Sequence, residues 1–477
     1  MTFPHFSQFF INGAWVAPIG TEVIDFMNPA TEAVLAKLPM GNADDIDAAV
    51  AAAKAARSGF AAWTVQDRIA LLEKILSIYT RRVDEFATAI MTEMGSPIDF
   101  ARNAQAQVGI DHLEALIKDL TDFSFEETLR NGDLALREPV GVCGLITPWN
   151  WPINQIVLKV GPALAAGCTM VLKPSELTPL SANLLAEVLE EAGVPAGVFN
   201  LVHGEGTVVG AALSKHPDVA MMSFTGSTRA GTAIVKDSAD TVTRVALELG
   251  GKSPNLVFAD CDLERAIDEG IDACFINTGQ SCDAATRMLV ERSVYGRAIE
   301  LARVKCSGVQ VGDPTAHGDH LGPLVSSDHF GRVQALIKVG IDEGATVLCG
   351  GLGRPDNVTS GYFAKPTIFI DVHNKMDIAQ QEVFGPVLVI IPFETEADAI
   401  EIANDTAYGL GAYIQTSDPV RATRVARVLE AGTVNINGGY LGSGSPFGGV
   451  KMSGFGREGG AEGIEEFLQT KLIAGAG

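Results

Sequence analysis

The sequence predicts an α/β protein carrying two doubly wound parallel sheets. From Val142 to Lys236 short apolar stretches alternate with segments at helical spacing, and a second series with the same rhythm runs from Asn255 to about Ile436. Parallel strands need crossover connections, which such intervening helices supply. The chain has 477 residues, 47% of them hydrophobic, more than a single core accommodates, so about three domains are expected.

Phe9 to Val16 reads as a hairpin turning at Asn12-Gly13, followed by an extended stretch around Glu32 to Pro39. Apolar residues at helical spacing then predict a helix over Asp44 to Trp63 and a longer one, capped by Thr64, through Leu72, Ile75, Ile78 and Phe86 to a stop at Gly95. Pro97 opens a third, to about Asp122. Leu134 to Val140 alternates like a strand and stands apart from its neighbours, which suits an excursion used in subunit contacts.

The first α/β series has strands at Val142–Thr147, Thr169–Leu172, Val198–Val202 and Val219–Phe224, with helices at Ile153–Ala166, Leu180–Ala192, Gly206–Leu213 and Gly226–Lys236. Ligands of doubly wound sheets bind at the carboxyl ends of strands, here just after Thr147, Leu172, Val202 and Phe224. The second series starts with Asn255–Ala259, a helix from Leu263, Met288–Val290 and a helix from Tyr295. A cleft is expected between the two units. Glycine-rich Pro446–Gly460 reads as loop and Phe467–Ile473 as a last strand.

Lys plus Arg number 35 against 58 Asp plus Glu, a net charge of −23 that repels phosphate backbones and anionic membranes. No nucleic acid or membrane partner is expected. Met1 to Phe10 has no signal-peptide pattern. The seven cysteines are odd in number, widely spread and without a Cys-x-x-Cys, suggesting neither a disulfide framework nor a zinc cluster, and a cytoplasmic setting. His317 and His320 lack a third ligand, so no metal is assigned.

Five stretches carry candidate chemistry. Phe275 to Cys282 delivers a cysteine after a turn at Gly279. If Ser281-Cys282-Asp283 starts a helix, its N–H groups favour a thiolate nucleophile; the alternative is a small buried hydrophobe. Glu248 ends the strand Val242–Leu247 at a domain junction, where burial raises a carboxyl pKa towards that of a general base. Trp149-Asn150-Trp151-Pro152 offers an exposed amide to a developing oxyanion. Lys173-Pro174-Ser175-Glu176 either contacts a ribose, with Glu176 repelling a 2′-phosphate, or is a helix-capping turn at Ser175. Phe224-Thr225-Gly226-Ser227-Thr228-Arg229-Ala230-Gly231 resembles a pyrophosphate loop whose middle glycine is replaced by Thr228, or is a plain strand-turn-helix.

Together with Glu382-Val383-Phe384-Gly385-Pro386 and Pro446-Phe447-Gly448-Gly449, these stretches resemble, in order and over nearly the whole chain, the NAD(P)-dependent aldehyde dehydrogenase superfamily of hydrolytic type. The resemblance implies an aldehyde-dehydrogenase-like fold with a small β bridging and oligomerisation domain beside the two α/β domains. It divides the chain into an NAD-binding domain of residues 1–120 and 140–249, a catalytic domain of 250–446, and bridging segments 121–139 and 447–477. Cys282 is then the nucleophile, Glu248 the base, and Asn150 with the Cys282 N–H the oxyanion hole, with Lys173 in the same machinery. NAD, with NADP possible, would be held by Ile146, Trp149, Lys173, Ser175, Glu176, Gly206, Gly226, Ser227, Gly231, Leu249, Glu382 and Phe384. The substrate tunnel would be lined by Trp151, Asn154, Leu158, Ile276, Ser281, Asp283, Tyr440, Leu441 and Phe447, suiting a medium-chain, aromatic or terpenoid aldehyde. Asp283 either disfavours anionic semialdehydes or caps a helix starting there. A homodimer or homotetramer is implied. Two rival readings are a coenzyme A-acylating dehydrogenase, against which Glu248 argues, and a catalytically silent relative, which should lack the nucleophile or base.

Overall fold

The computed structural model describes residues 4–475, so Met1 to Phe3, within the predicted leaderless stretch, and Ala476 and Gly477 lie outside it. Two large sheets organise the chain. The first has eight strands, and its centre is parallel: Arg244–Glu248, Met221–Thr225, Val142–Ile146, Thr169–Lys173 and Phe199–Leu201 lie side by side in that order. The hairpin Phe9–Ile11 and Ala14–Val16, turning at Asn12-Gly13, extends one edge. The second sheet has seven strands, with Thr367–Ile370, Val387–Phe393, Arg287–Glu291, Pro254–Val257, Gly411–Gln415 and Thr433–Ile436 parallel in that order.

The central strands are buried along their length, as expected where helices cover both faces. The helix Pro152–Ala166 packs Ile153, Ile156, Val157 and Val160 into a core shared with Leu72, Ile75 and Tyr79 of Val65–Arg81 and Leu113 and Leu116 of Gln107–Asp122. Thr64 caps its helix through Asp67, as predicted, and Gly95 ends the following one in the left-handed conformation.

Several expectations are corrected. The long helix from Thr64 to Gly95 is two, Val65–Arg81 and Val83–Met94: Arg82 leaves helical geometry between them, and its guanidinium pairs with Glu85 and Glu187. The strand Glu22–Met27, pairing with Val34–Met40, escaped the reading although Val23, Ile24, Phe26 and Met27 give it apolar content. Pro446–Gly460 is not all loop: Gly454–Phe455 joins the first sheet antiparallel to Leu247 and Glu248. Leu134–Pro139 is the middle strand of a three-stranded sheet, between Glu126–Thr128 and Leu468–Ile473, so the free edges belong to its neighbours. Cys306 and Cys349 form a disulfide that their separation of 43 residues did not suggest.

Among the described residues no helix is long and apolar enough to cross a membrane, and no His, Cys, Asp and Glu cluster could hold a metal ion.

A buried carboxyl orients the segment after Thr169–Lys173. Glu93 accepts the N–H groups of Leu180 (2.6 Å) and Ser181 (3.2 Å), capping the helix Pro179–Ala192, whose own Thr178 makes no side-chain cap. Burial pushes Glu93 up to about 8, with the backbone hydrogen bonds opposing. A folded-state pKa above the unfolded one means that the folded protein binds more protons between about pH 4.5 and 8, so this group's contribution to stability falls as pH rises through that window. Glu93→Gln keeps the acceptor without the charge. It is expected to flatten the decline of Tm with pH across that window and to be the more stable protein at its upper end; parallel Tm–pH curves would contradict this.

Candidate active site

The carboxyl ends of the two sheets converge on one cluster. The strand Arg244–Glu248 delivers Glu248, and the glycine pair after it permits two close approaches. A Cβ at Gly250 would collide with the Glu382 carboxylate, and one at Gly251 with the Cys282 carbonyl. Glu382 Oε1 accepts the Gly251 N–H at 3.0 Å. Pro446-Phe447-Gly448-Gly449 passes over Glu248, whose Oε1 would lie 2.7 Å from a Cβ on Gly448.

Cys282 is half-buried and not in the disulfide. The predicted helix start at Ser281–Asp283 is absent: the helix Leu263–Phe275 precedes it, a tight turn spans Ile276–Gly279, and Cys282 lies in a turn before the strand Arg287–Glu291. Asp283 therefore caps nothing. With no helix N-terminus at hand, burial and then the carboxylates of Asp283, Glu382 and Glu248 push the thiol well above its usual range, opposite to the expected direction.

Asn150 is buried, 3% exposed, and not the exposed amide expected. Its Nδ2 donates to the Gln280 carbonyl at 2.9 Å, two residues before the cysteine, while Asn277 Nδ2 donates to the Asn150 carbonyl at 2.9 Å. Gln105 holds Asn277 from a third direction, Nε2 to Oδ1 at 2.8 Å. Asn150 and Cys282 are thus tied together although one belongs to each α/β series.

Glu248 is buried, and neither carboxylate oxygen has a hydrogen-bond partner. Burial raises its pKa well above the ordinary value; the Glu458 carboxylate adds to this and Lys159 opposes it. Lys159, fully buried, pairs with Glu458 and donates to Ser223 Oγ at 3.0 Å. This network escaped the sequence reading. Its one signal was a lysine inside the apolar helix Pro152–Ala166.

The remaining predicted residues fall into two groups. Lys173 ends its strand, buried, and its Nζ pairs with Glu176 at 2.9 Å, leaving that carboxylate a third exposed. Ser175 Oγ accepts the Leu177 N–H, but the helix begins only at Pro179, so the helix-capping alternative at Ser175 is not what forms. Gly226 and Ser227 follow Met221–Thr225, and Ser227 caps the helix Thr228–Ser238. Gly231 lies against Leu249, Ile146 is buried at its strand end, and Gly206, exposed, opens the helical segment that continues to Lys215, where a helix was predicted. Phe384 packs edge-on to Trp149 with centroids 5.4 Å apart. Thr147 Oγ1 and Thr225 Oγ1, at adjacent strand ends, are buried without partners. Orphaned hydroxyls, a capped helix N-terminus and a lysine-oriented carboxylate along one sheet edge fit a dinucleotide.

On the other side of Cys282, Trp151 Nε1 donates to Ser281 Oγ at 2.8 Å, and Asn154 Oδ1 meets His112 Nε2 at 2.7 Å. Leu158 is buried, Ile276 and Phe447 half-buried, and Tyr440 and Leu441 sit on an exposed loop after Thr433–Ile436. The Tyr413 hydroxyl donates to the Asp283 carbonyl at 3.1 Å.

Residues 15–473 match the sequence profile of the aldehyde dehydrogenase family. A curated 3-succinoylsemialdehyde-pyridine dehydrogenase from a Pseudomonas species is 49% identical over 98% of both chains. Among solved structures, an aldehyde dehydrogenase from Bartonella henselae is 49% identical with a TM-score of 0.97, covering 98% of both chains. A mutant aldehyde dehydrogenase C from Pseudomonas syringae, complexed with NAD+ and octanal, is 46% identical with a TM-score of 0.98, covering 99% of this chain and 98% of that one. The chain belongs to the aldehyde dehydrogenase family.

Asp283 is the carboxylate that raises the Cys282 thiol most, so Asp283→Asn is expected to speed inactivation by iodoacetamide at neutral pH severalfold and to move the rate–pH curve to lower pH. An unmoved curve would remove Asp283 from the electrostatics of the thiol.

Proposed function

We propose that the protein oxidises aldehydes to carboxylic acids with NAD, through a thioester on Cys282 that Glu248 hydrolyses. The observation that carries this reading is Glu248 itself: a buried carboxyl with both oxygens unpartnered, facing the same cluster as Cys282. No structural role accounts for such a group, whereas activating a water does.

The Cys282 sulfur, as thiolate, adds to the aldehyde carbon, forming a C–S bond and an oxyanion. Asn150 has one amide hydrogen engaged by Gln280 and one to offer that oxyanion, alongside the Cys282 N–H. When bound, NAD supplies the acceptor for the hydride expelled as the oxyanion collapses, and a positive charge opposing the upward push on the thiol. Glu248 then takes a proton from water as that water attacks the thioester. The C–S bond breaks, the acid leaves and the thiol is restored. The Lys159–Glu458 pair beside Glu248 tunes its proton affinity.

The fold supports assigning residues 1–120 and 140–249 to NAD, 250–446 to the nucleophile, and 121–139 with Leu468–Ile473 to bridging, while Gly454–Phe455, within the segment 447–477 expected to bridge, pairs with the first sheet. Self-association as a homodimer or homotetramer would use the free edge of Leu468–Ile473. Glu176, oriented by Lys173, repels a 2′-phosphate and favours NAD over NADP. The relatives act on, or are complexed with, a pyridine-linked semialdehyde and octanal, which supports a medium-chain or aromatic aldehyde.

Four measurements test this. Cys282→Ala should abolish NADH formation from a panel of aldehydes, by about 10³-fold or more. Glu248→Gln should give one burst of NADH per site followed by turnover slowed about 10²- to 10⁴-fold. The wild type should release free acid without coenzyme A, whereas acid appearing only on adding coenzyme A would establish an acylating enzyme. Glu176→Gln is expected to narrow the NAD-over-NADP ratio of kcat/KM; a wild type preferring NADP would overturn the assignment.

A further inference from the structure

We propose that His112 and Asn154 form a recognition pair for a neutral hydrogen-bonding group, such as an oxo, hydroxyl or ring-nitrogen atom, in the chain of the aldehyde. The inference rests on the reading of Cys282 as the nucleophile and adds to it the class of aldehyde preferred.

Trp151, Asn154 and Leu158 stand at i, i+3 and i+7, one face of the helix Pro152–Ala166 and the residue that starts it. Trp151 marks the thiol end of that face through its bond to Ser281. Asn154 lies about 5 Å further along the axis, at about 1.5 Å per residue. Facing it, on the helix Gln107–Asp122, is His112, half-buried and bonded to Asn154 at 2.7 Å. Beyond the pair lies a small recess that His112 lines together with Leu116, Leu158, Pro162, Gly444 and Gly459. Along this face the order is therefore thiol, polar pair, apolar recess.

The valences left over define what the pair can bind. If His112 Nε2 donates to Asn154 Oδ1, the Asn154 amide remains a donor and His112 Nδ1 an acceptor. If the amide is turned and donates to Nε2, Asn154 Oδ1 is the acceptor and His112 Nδ1 the donor. Either way at least one donor and one acceptor are left beyond the bond between the two side chains. Burial lowers the pKa of His112, so the ring is neutral at physiological pH and the pair presents no net charge. Such a pair suits a neutral polar atom flanked by apolar chain better than a plain alkyl chain, which would leave both valences unmet.

The alternative is that the pair only ties two helices together. A tie would affect all aldehydes alike, and a recognition pair only some. With purified enzyme and NAD+, kcat/KM is measured for nonanal and for 4-, 5- and 6-oxononanal. At least one oxoaldehyde is expected to exceed nonanal about 5- to 10-fold. His112→Phe and Asn154→Leu should each bring that ratio to about one or below. A wild type that treats all four alike, or a ratio that survives both substitutions, overturns the proposal, and the wild-type comparison decides even if a variant fails to fold. No NADH from any of the four, nonanal included, would instead sink the underlying assignment of the reaction.

Discussion

The structure turns on a hydrogen-bonded clasp between the two α/β series. Asn150, at the carboxyl end of a first-sheet strand, donates to Gln280 and is itself held by Asn277. Gln280 reaches onward to the Val325 N–H at 3.0 Å. The turn that makes this possible is unusual. Asn277, Thr278 and Gly279 all take positive φ, and for a β-branched threonine that conformation is costly, about 1–3 kcal/mol. The cost is offset by the bonds that the turn enables, among them Thr278 Oγ1 to the Gly322 carbonyl. At Gly279 a side chain would strike Gly385, so the turn also seats the segment bearing Glu382 and Phe384. One strained turn thus sets the thiol, the amide facing it and the carboxylate of Glu382 relative to one another.

Around this turn the electrostatics favour neutral forms. Cys282 and Glu248 are both raised, Glu382 rises to about 7, and the unpartnered, buried Lys252 falls to about 7. Burial heads the causes in every case. A resting cluster with little charge avoids desolvating a permanent thiolate and is poised to respond when a charged ligand enters. That differs from the expected picture, in which a helix dipole would hold the sulfur ionised. The place of Cys282 after the Gly279 turn was legible, but the direction of its pKa was not, because the burial that heads its causes exists only once the cluster is assembled.

Much of the fold was legible for a similar local reason. Every central parallel strand announces itself as a short apolar run, and the caps at Thr64 and Gly95 are chemical signals within a few residues of the ends they mark. What failed was non-local. At Arg82, where one helix ends and the next begins, the guanidinium pairs with Glu187 on another helix. Gly454–Phe455 becomes a strand because Leu247 and Glu248 offer it an edge. Asn150 looked exposed because nothing in Trp-Asn-Trp-Pro reveals that Gln280 covers it.

Buried cations show the same limit most sharply. Lys159, Lys252 and Arg287 are almost completely buried, yet in a sequence they cannot be told from solvated lysines and arginines. Arg287 donates to the carbonyls of Lys252, Ile402 and Ala403 and to Asn374, anchoring the start of the strand that follows Cys282. Lys159 performs the matching task in the first unit, through Ser223 and Glu458. A buried charge is tolerated only where fixed acceptors surround it, so Arg287 and Lys159 each pin segments distant in sequence to one another, whereas Lys252, without a partner, falls to about 7 instead. Such positions hold the chemistry in place without touching it. Their identity follows from the assembled fold, whereas Cys282 and Glu248, the proposed nucleophile and base, stand at a turn and a strand end that the sequence itself marks.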